Sequence, residues 1–172
     1  MDSVIALADL QSIYSVAEVD RAAEDGAARR NEGLKSWYDR MRELGGSRYI
    51  IKPSTAAAVD ELHESSPNFT NVVDDLRKYL ALAIAGNEAV QFTPLLLLGE
   101  PGLGKTYFAK KLAQALGTGF EFVSMSSLTA GWILTGASAQ WNNARPGKVA
   151  HTLIDGEFAN PVVVLDEIDK AG

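Results

Sequence analysis

The sequence predicts an α/β fold in which a parallel sheet lies between two helical layers, preceded by a helical arm. Two short apolar runs, residues 94–98 and 161–165, have the unbroken hydrophobic character of strands buried on both faces of a sheet. Between them lie a glycine-rich loop, residues 99–104, and an amphipathic stretch with helical spacing, residues 106–116. Alternating strands and helices are typical of parallel α/β domains, so we expect a three-layer α/β/α sheet.

The first part of the chain, residues 1–66, is rich in alanine, glutamate, aspartate and arginine and is predicted to be the helical arm. Apolar residues recur there at helical spacing in two series, which are Val4, Ile5, Leu10, Ile13 and Tyr14, then Leu34, Trp37, Tyr38, Met41 and Leu44. Residues 48–53 should form an extended linker, because Pro53 disfavours a helical conformation at the residue before it. We expect this arm to pack or face a partner without chemistry of its own.

The second part, residues 67–172, contains the remaining predicted elements. A helix should run from about Thr70 to Gly86 with one apolar face. Residues 120–123 are a further strand candidate, and the valine-rich run 161–165 is the clearest strand of the chain. These elements predict a second domain, separate from the arm.

Composition excludes several classes of protein. With 172 residues, 47% of them apolar, the chain can bury a core. The absence of cysteine excludes disulfide scaffolds and cysteine nucleophiles, and the two histidines, His63 and His151, are too far apart in sequence to suggest a metal site. A net charge of −6 argues against nucleic acid as a partner. Without a basic leader or an apolar run of about 18 residues, the chain is expected to be cytoplasmic and to have no membrane contact.

The glycine-rich loop matches the phosphate-binding pattern G-x-x-x-x-G-K-[ST] at every specified position. The predicted nucleotide-binding residues are Gly99, Glu100, Pro101, Gly102, Leu103, Gly104, Lys105, Thr106 and Tyr107. The glycines let successive N–H groups face a phosphate, and the loop leads into a helix N-terminus, which favours an anion. Lys105 should reach the β- and γ-phosphates, and the Thr106 hydroxyl should complete a Mg²⁺ shell. The alternative is an incidental glycine-rich turn, against which the predicted strand before the loop and helix after it both argue.

The valine-rich strand ends in two carboxylates, Asp166 and Glu167. Asp166 should hold Mg²⁺ opposite Thr106, and Glu167 should act as the general base that activates a water molecule. Charged pairs also occur at strand ends merely to meet solvent, so this pair gains its meaning from the phosphate-binding loop. We therefore predict Glu167 and Lys105 as catalytic residues, with ATP and Mg²⁺ as cofactors.

These motifs resemble those of the AAA+ ATPases, and in particular of their Lon-like branch. The resemblance rests on the loop, on the Asp-Glu pair with Ile-Asp-Lys after it, on residues 141–148 (Trp-Asn-Asn-Ala-Arg-Pro-Gly-Lys), and on Ala-Asn-Pro at 159–161. It covers roughly residues 69–172, whereas the arm resembles no family that we can name. The resemblance implies a P-loop NTPase fold and a homo-oligomeric, usually hexameric, ring that hydrolyses ATP to remodel or unfold a polypeptide client.

Two aromatic residues have both a functional and a structural interpretation. The resemblance implies that Trp141 is the pore-loop aromatic that grips a translocating chain, although Asn142 and Asn143 depart from the family pattern. Trp141 could equally be a buried indole. Phe69 could stack near adenine, as the resemblance implies, or act as a hydrophobic staple at the start of a helix.

The resemblance also implies parts that follow residue 172 in the family, namely a sensor strand, an arginine finger and a helical lid. In the family the sensor strand lies between the strand before the loop and the acidic strand. We therefore expect an incomplete sheet, in which residues 94–98 have no neighbours, and a 172-residue chain that is self-associated and inactive by itself. Two other functions are open: a DNA-loading or replication factor on the same fold, and a module that senses ATP without hydrolysing it.

Overall fold

The computed structural model describes residues 7–126, Leu134, Gly136 and residues 146–170. Its helices are α1 (Val16–Ala23), α2 (Gly26–Arg29), α3 (Glu32–Leu44), α4 (Ala57–Ser65), α5 (Thr70–Gly86), α6 (Lys105–Leu116) and α7 (Lys148–Asp155). Its strands are β1 (Leu7–Ser12), β2 (Ser47–Lys52), β3 (Phe120–Ser124) and β4 (Val162–Asp166), and short 3-10 turns span Pro67–Phe69 and Ile168–Lys170. The described part is thus a mixed α/β structure, as predicted.

The arm begins with a strand where the sequence predicts a helix. Strands β1 and β2 pair antiparallel, from Leu7 opposite Lys52 to Ser12 opposite Ser47. Residues 8–12 are all exposed, and Leu10 exposes 70% of its surface, so the helical spacing of the first apolar series does not mark a buried face. The predicted extended linker is instead β2, and it stabilises β1 by pairing with it.

The second predicted helix of the arm is confirmed as α3. Asn31 caps it by accepting hydrogen bonds from the backbone N–H groups of Gly33 and Leu34, at 3.1 and 3.2 Å. Trp37 of this helix lies edge-on against His151 of α7, with ring centroids 4.2 Å apart. The arm therefore contacts the second part of the chain directly.

The main apolar core lies among α4, α5 and α6. Its buried side chains are Val59, Leu62, Phe69, Val73, Leu76, Leu80, Phe108 and Leu112. Phe69 and Phe108 stack with ring centroids 4.5 Å apart. Because Val59 and Leu62 come from α4, the last helix before residue 67 shares this core with the helices that follow it.

Strands β3 and β4 form a parallel pair, from Phe120 opposite Val162 to Ser124 opposite Asp166. Val123 and Met125 are buried beside this pair, and the partly buried side chains of Val163 and Leu165 pack against them. Both strands lie within one residue of their predicted positions. Helix α6 packs against β4, which places helix on sheet as the fold class requires.

The predicted strand at residues 94–98 does not form. This segment has no secondary structure and pairs with none of the described strands. Leu96 and Leu98 expose 69% and 83% of their surface, whereas Leu97 packs on the α4–α6 core. The physical reason is the missing neighbour, because a strand exists only when another takes up its backbone hydrogen bonds. The expectation of an incomplete sheet, with this segment unpaired, holds for the described part of the chain.

Candidate nucleotide-binding site

The glycine-rich loop leads into the first turn of α6. Gly102 and Gly104 have φ angles of 85° and 84°, in the left-handed region that side chains disfavour. Gly104 stands at the start of the helix, and its carbonyl accepts from the Phe108 N–H at 2.8 Å. With glycine at this position no side chain caps α6, so the N–H groups of its first turn are available to an anion.

Lys105 already contacts the loop that it follows. Its ammonium donates hydrogen bonds to the carbonyl oxygens of Gly99 and Glu100, at 2.8 and 3.0 Å. These bonds hold the ammonium against the backbone of the loop. A phosphate bound there would meet both a fixed positive charge and the end of the helix dipole.

The start of α6 is divided between solvent and core. Thr106 and Tyr107 are exposed, and Lys111 lies over the Tyr107 ring with Nζ 5.6 Å from the centroid. Phe108 and Ala109 are buried, and Phe108 joins the α4–α6 core. The remaining predicted loop residues, Glu100, Pro101, Gly102 and Leu103, are exposed. The core therefore anchors the helix while its first turn faces outward.

The two carboxylates lie at the end of β4, as predicted. Asp166 ends the strand opposite Ser124, and its carbonyl accepts from the Met125 N–H at 2.8 Å. Glu167 has a φ of 56°, in the left-handed region, which few residues other than glycine adopt. The strand thus stops at Asp166, and the turn at Glu167 directs the chain into the 3-10 turn that follows.

Glu167 has partners that sequence reasoning missed. Its carboxylate forms an ion pair with the Lys170 ammonium, and Lys170 also donates its backbone N–H to the Glu167 carbonyl at 2.9 Å. The hydrogen bond from Lys170 is the main cause that lowers the pKa of Glu167, and Ser126 contributes in the same direction. The pair raises the pKa of Lys170. The spacing of three residues between Glu167 and Lys170 was the signal available in the sequence.

The donor set suits Mg²⁺ bound together with phosphates. Thr106 offers a hydroxyl and Asp166 a carboxylate, both hard oxygen ligands. In the described residues, no three His, Cys, Asp or Glu side chains gather into a metal site. Magnesium usually takes one or two protein oxygens and completes its shell with water and substrate phosphates, so these residues fit the ion in its nucleotide-bound form.

Two other predicted positions have different outcomes. Trp141 lies outside the described residues, so its assignment to a pore loop stays a prediction. Phe69 is 9% exposed and stacks on Phe108. Packing in the apolar core therefore explains the position of its ring, rather than contact with adenine. None of the helices within 7–126 and 146–170 is both long and apolar enough to cross a membrane.

Comparison with known proteins agrees with this geometry. Residues 95–172 match the family model of AAA, the ATPase family associated with various cellular activities. Lon protease 2 of Hydrogenovibrio crunogenus is 31% identical over 139 residues, covering 80% of this chain and 16% of that protein. Lon protease of Campylobacter concisus is 37% identical over 146 residues, covering 81% of this chain and 18% of that protein.

The similarity also extends into the arm. Lon protease of Chloroflexus aurantiacus is 29% identical over 181 residues, covering 98% of this chain and 22% of that protein. The expectation that the resemblance begins near residue 69 was therefore too narrow. The chain spans about a fifth of the length of these relatives.

Proposed function

We propose, for a chain that belongs to the AAA ATPases in their Lon-like form, that it binds Mg·ATP and hydrolyses it within a complete oligomer to remodel polypeptides. One observation carries the proposal. The phosphate-binding loop opens onto the uncapped start of α6, and α6 packs against β4, the strand that ends in Asp166 and Glu167. Anion-binding N–H groups and acidic oxygen ligands thus belong to two elements in direct contact.

In this proposal each residue has one role. The loop N–H groups and Lys105 bind the phosphates, while Thr106 and Asp166 hold Mg²⁺, which neutralises phosphate charge when bound. Glu167 accepts a proton from the attacking water. The Glu167 carboxylate is ionised at neutral pH and can accept that proton, although its bond to Lys170 lowers its pKa and so weakens it as a base. To face the water it must exchange its bond to Lys170.

Further parts of the proposal rest on the family. Residues 1–66 would be an arm whose last helix, α4, packs into the ATPase core formed by residues 67–172. Copies of the chain would assemble into a ring, usually a hexamer. Trp141 would line its pore and grip the polypeptide client. A neighbouring copy would supply an arginine finger to the phosphates. A requirement for cellular ATP supports a cytoplasmic location.

The ion pair of Glu167 favours a second candidate function. With its carboxylate held by Lys170, the site could bind ATP without activating water, as a module that senses the nucleotide. A DNA-loading role has no comparable support, since the net charge is −6.

Glu167→Gln, in the full-length protein, separates hydrolysis from sensing. Loss of a general base should lower ATP turnover by roughly 10²-fold or more and leave Mg·ATP affinity unchanged, because the side chain keeps its size. Turnover by coupled assay and affinity by calorimetry check this, with Glu64→Gln, at an exposed position of α4, as the matched control. Unchanged turnover in Glu167→Gln would contradict the catalytic role, and a wild-type protein that binds ATP without turnover would favour sensing.

A further inference from the structure

The arm strand β2 meets the backbone segment that leads into β4. The Tyr49 N–H donates to the Glu157 carbonyl at 2.8 Å, and the Ala159 N–H donates to the Tyr49 carbonyl at 2.7 Å. These two bonds make a parallel bridge between Tyr49 and Phe158. β2 therefore pairs with β1 on one edge and with the segment before β4 on the other.

The next step of this ladder is made by a side chain. A parallel ladder would continue by joining Ile51 to the carbonyl of residue 159 and the N–H of residue 161, but Pro161 has no N–H. Instead, the Ile51 N–H donates to Oδ1 of Asn160 at 3.0 Å, and Nδ2 of Asn160 donates to the Ile51 carbonyl at 2.9 Å. A carboxamide has one acceptor and donors side by side, as a peptide unit does. Asn160 thus extends the ladder past the proline.

Asn160 is fixed on its other side to the parallel sheet. Its carbonyl accepts from the Thr118 hydroxyl at 3.0 Å. Two residues later the Val162 N–H donates to the Gly119 carbonyl at 2.8 Å and β4 begins. A displacement of β2 would therefore act on the beginning of the strand whose end carries Asp166 and Glu167.

A second contact fixes the same arm strand near its start. Arg48 is 5% exposed, and its guanidinium donates to the carbonyls of Leu153, at 3.1 Å, and Ile154 at the end of α7. It also donates to the Gly45 carbonyl, at 2.9 Å, just after α3. Both are helix C-termini, where unpaired carbonyls and the dipole favour a cation. Arg48 is thus a buried cation of the arm that bonds α7, and Asn160, from the segment before β4, bonds the arm strand β2 in return.

We propose that Asn160 is a positioning residue through which the arm strand β2 controls the catalytic strand β4. A docked arm holds the start of β4 in place, and a force or partner acting on the arm reaches Glu167 through the Ile51–Asn160 pair. This inference rests on the proposed ATPase function, because its effect on β4 is measured as a change in ATP turnover. It goes beyond that function by making the arm an input to the site.

The test uses Asn160→Ala in the full-length protein, with Thr118→Val as the control. The control removes the hydroxyl bonded to the Asn160 carbonyl but leaves the side-chain contact with Ile51. Three quantities are measured: hydrogen exchange of the β2 amides, ATP turnover, and Mg·ATP affinity.

Asn160→Ala should speed exchange of the Ile51 amide by about tenfold, since a buried N–H loses its acceptor. It should lower kcat by about threefold or more at unchanged Mg·ATP affinity, the range seen for residues that couple distant sites. Thr118→Val should leave exchange in β2 unchanged. Unchanged Ile51 exchange in Asn160→Ala would overturn the docking role, and faster exchange with unchanged kcat would overturn the control of β4.

If Asn160→Ala does not fold, Arg48→Lys tests the same inference, because an ammonium cannot span both helix ends as the guanidinium does. It should speed exchange in β2 and lower kcat in the same way, and unchanged values of both would overturn the inference. A wild-type protein without ATP turnover would overturn the proposed function instead, while the exchange measurements would still decide whether Asn160 docks the arm.

Discussion

The two halves of the candidate nucleotide site have different support. Strand β4, which ends in Asp166, is paired with β3 along its whole length. Residues 94–98, which lead into the phosphate-binding loop, pair with none of the described strands and expose Leu96 and Leu98. Both segments have the composition of buried strands. A sheet neighbour, and not apolar character by itself, decides which of them becomes one.

The loop keeps its form because α6 anchors it from the other end. Phe108, one turn beyond Lys105, is 1% exposed and stacks on Phe69. The glycine-rich loop is therefore supported by a helix core, and the acidic pair Asp166 and Glu167 by a strand pair. Substitutions that affect one support and not the other can test this difference.

The largest expected difference is in stability. Met125→Ala should lower the free energy of unfolding by about 2–5 kcal/mol, because Met125 is 4% exposed in the core beside β3 and β4. Leu98→Ala should change it by less than about 0.5 kcal/mol, because Leu98 is 83% exposed. Urea unfolding of both variants checks this. Equal losses would mean that residues 94–98 are packed as tightly as β4.

A smaller effect is expected from the loop lysine. Lys105→Ala should weaken Mg·ATP binding by about ten- to a hundredfold, the loss of a charge-assisted hydrogen bond worth about 1.5–3 kcal/mol. Lys110→Ala, an exposed lysine of the same helix, is the matched control. Calorimetry measures both affinities. If the two variants bind Mg·ATP equally well, the glycine-rich loop is not the phosphate site, and only the acidic pair at the end of β4 is left as a candidate part of the site.

The smallest effect concerns the contact between the arm and α7, the helix before β4. Arg40 of α3 donates to Asp155 at 3.1 Å. Partial burial acts to raise the pKa of Asp155, but its hydrogen bonds from Arg40 and His151 outweigh this and lower it. Arg40→Gln should therefore bring the pKa of Asp155 back towards its ordinary value, as followed by NMR titration of the carboxyl carbon.

The sign of that shift sets the pH window. Because the pKa of Asp155 is lower in the folded than in the unfolded protein, its ionised carboxylate stabilises the fold at pH values above the pKa of the unfolded state. This contribution is lost as the pH falls through the pKa of Asp155 in the folded protein. Because the pair is exposed, only a slight change in stability is expected. Arg42→Gln is the control, since Arg42 pairs with Asp20 and Asp39 inside the arm. An Asp155 pKa that moves equally in both variants would rule out the Arg40 contact.

The glycine pattern of the loop, the helix that starts at Lys105 and the strand before Asp166 could be predicted because each is dictated by local chemistry. β1 could not, because its pairing with β2 depends on a strand some 40 positions away. The bond from Asn160 to Ile51 was hidden for the same reason. Residues 94–98 show the converse: their apolar character favours a strand, but no strand forms there within the described part of the chain.

The stack of Phe69 on Phe108 would link nucleotide binding at the candidate site to folding. Helix α6 exposes its first turn and packs its buried face against α4 and α5, so a nucleotide bound at this turn would favour the packed arrangement of all three helices. By mass action, saturating nucleotide would raise the melting temperature, and a defect at Val59 or Leu62 would be partly masked in cells rich in ATP. Such a variant would lose its folded state first when the cellular ATP concentration falls.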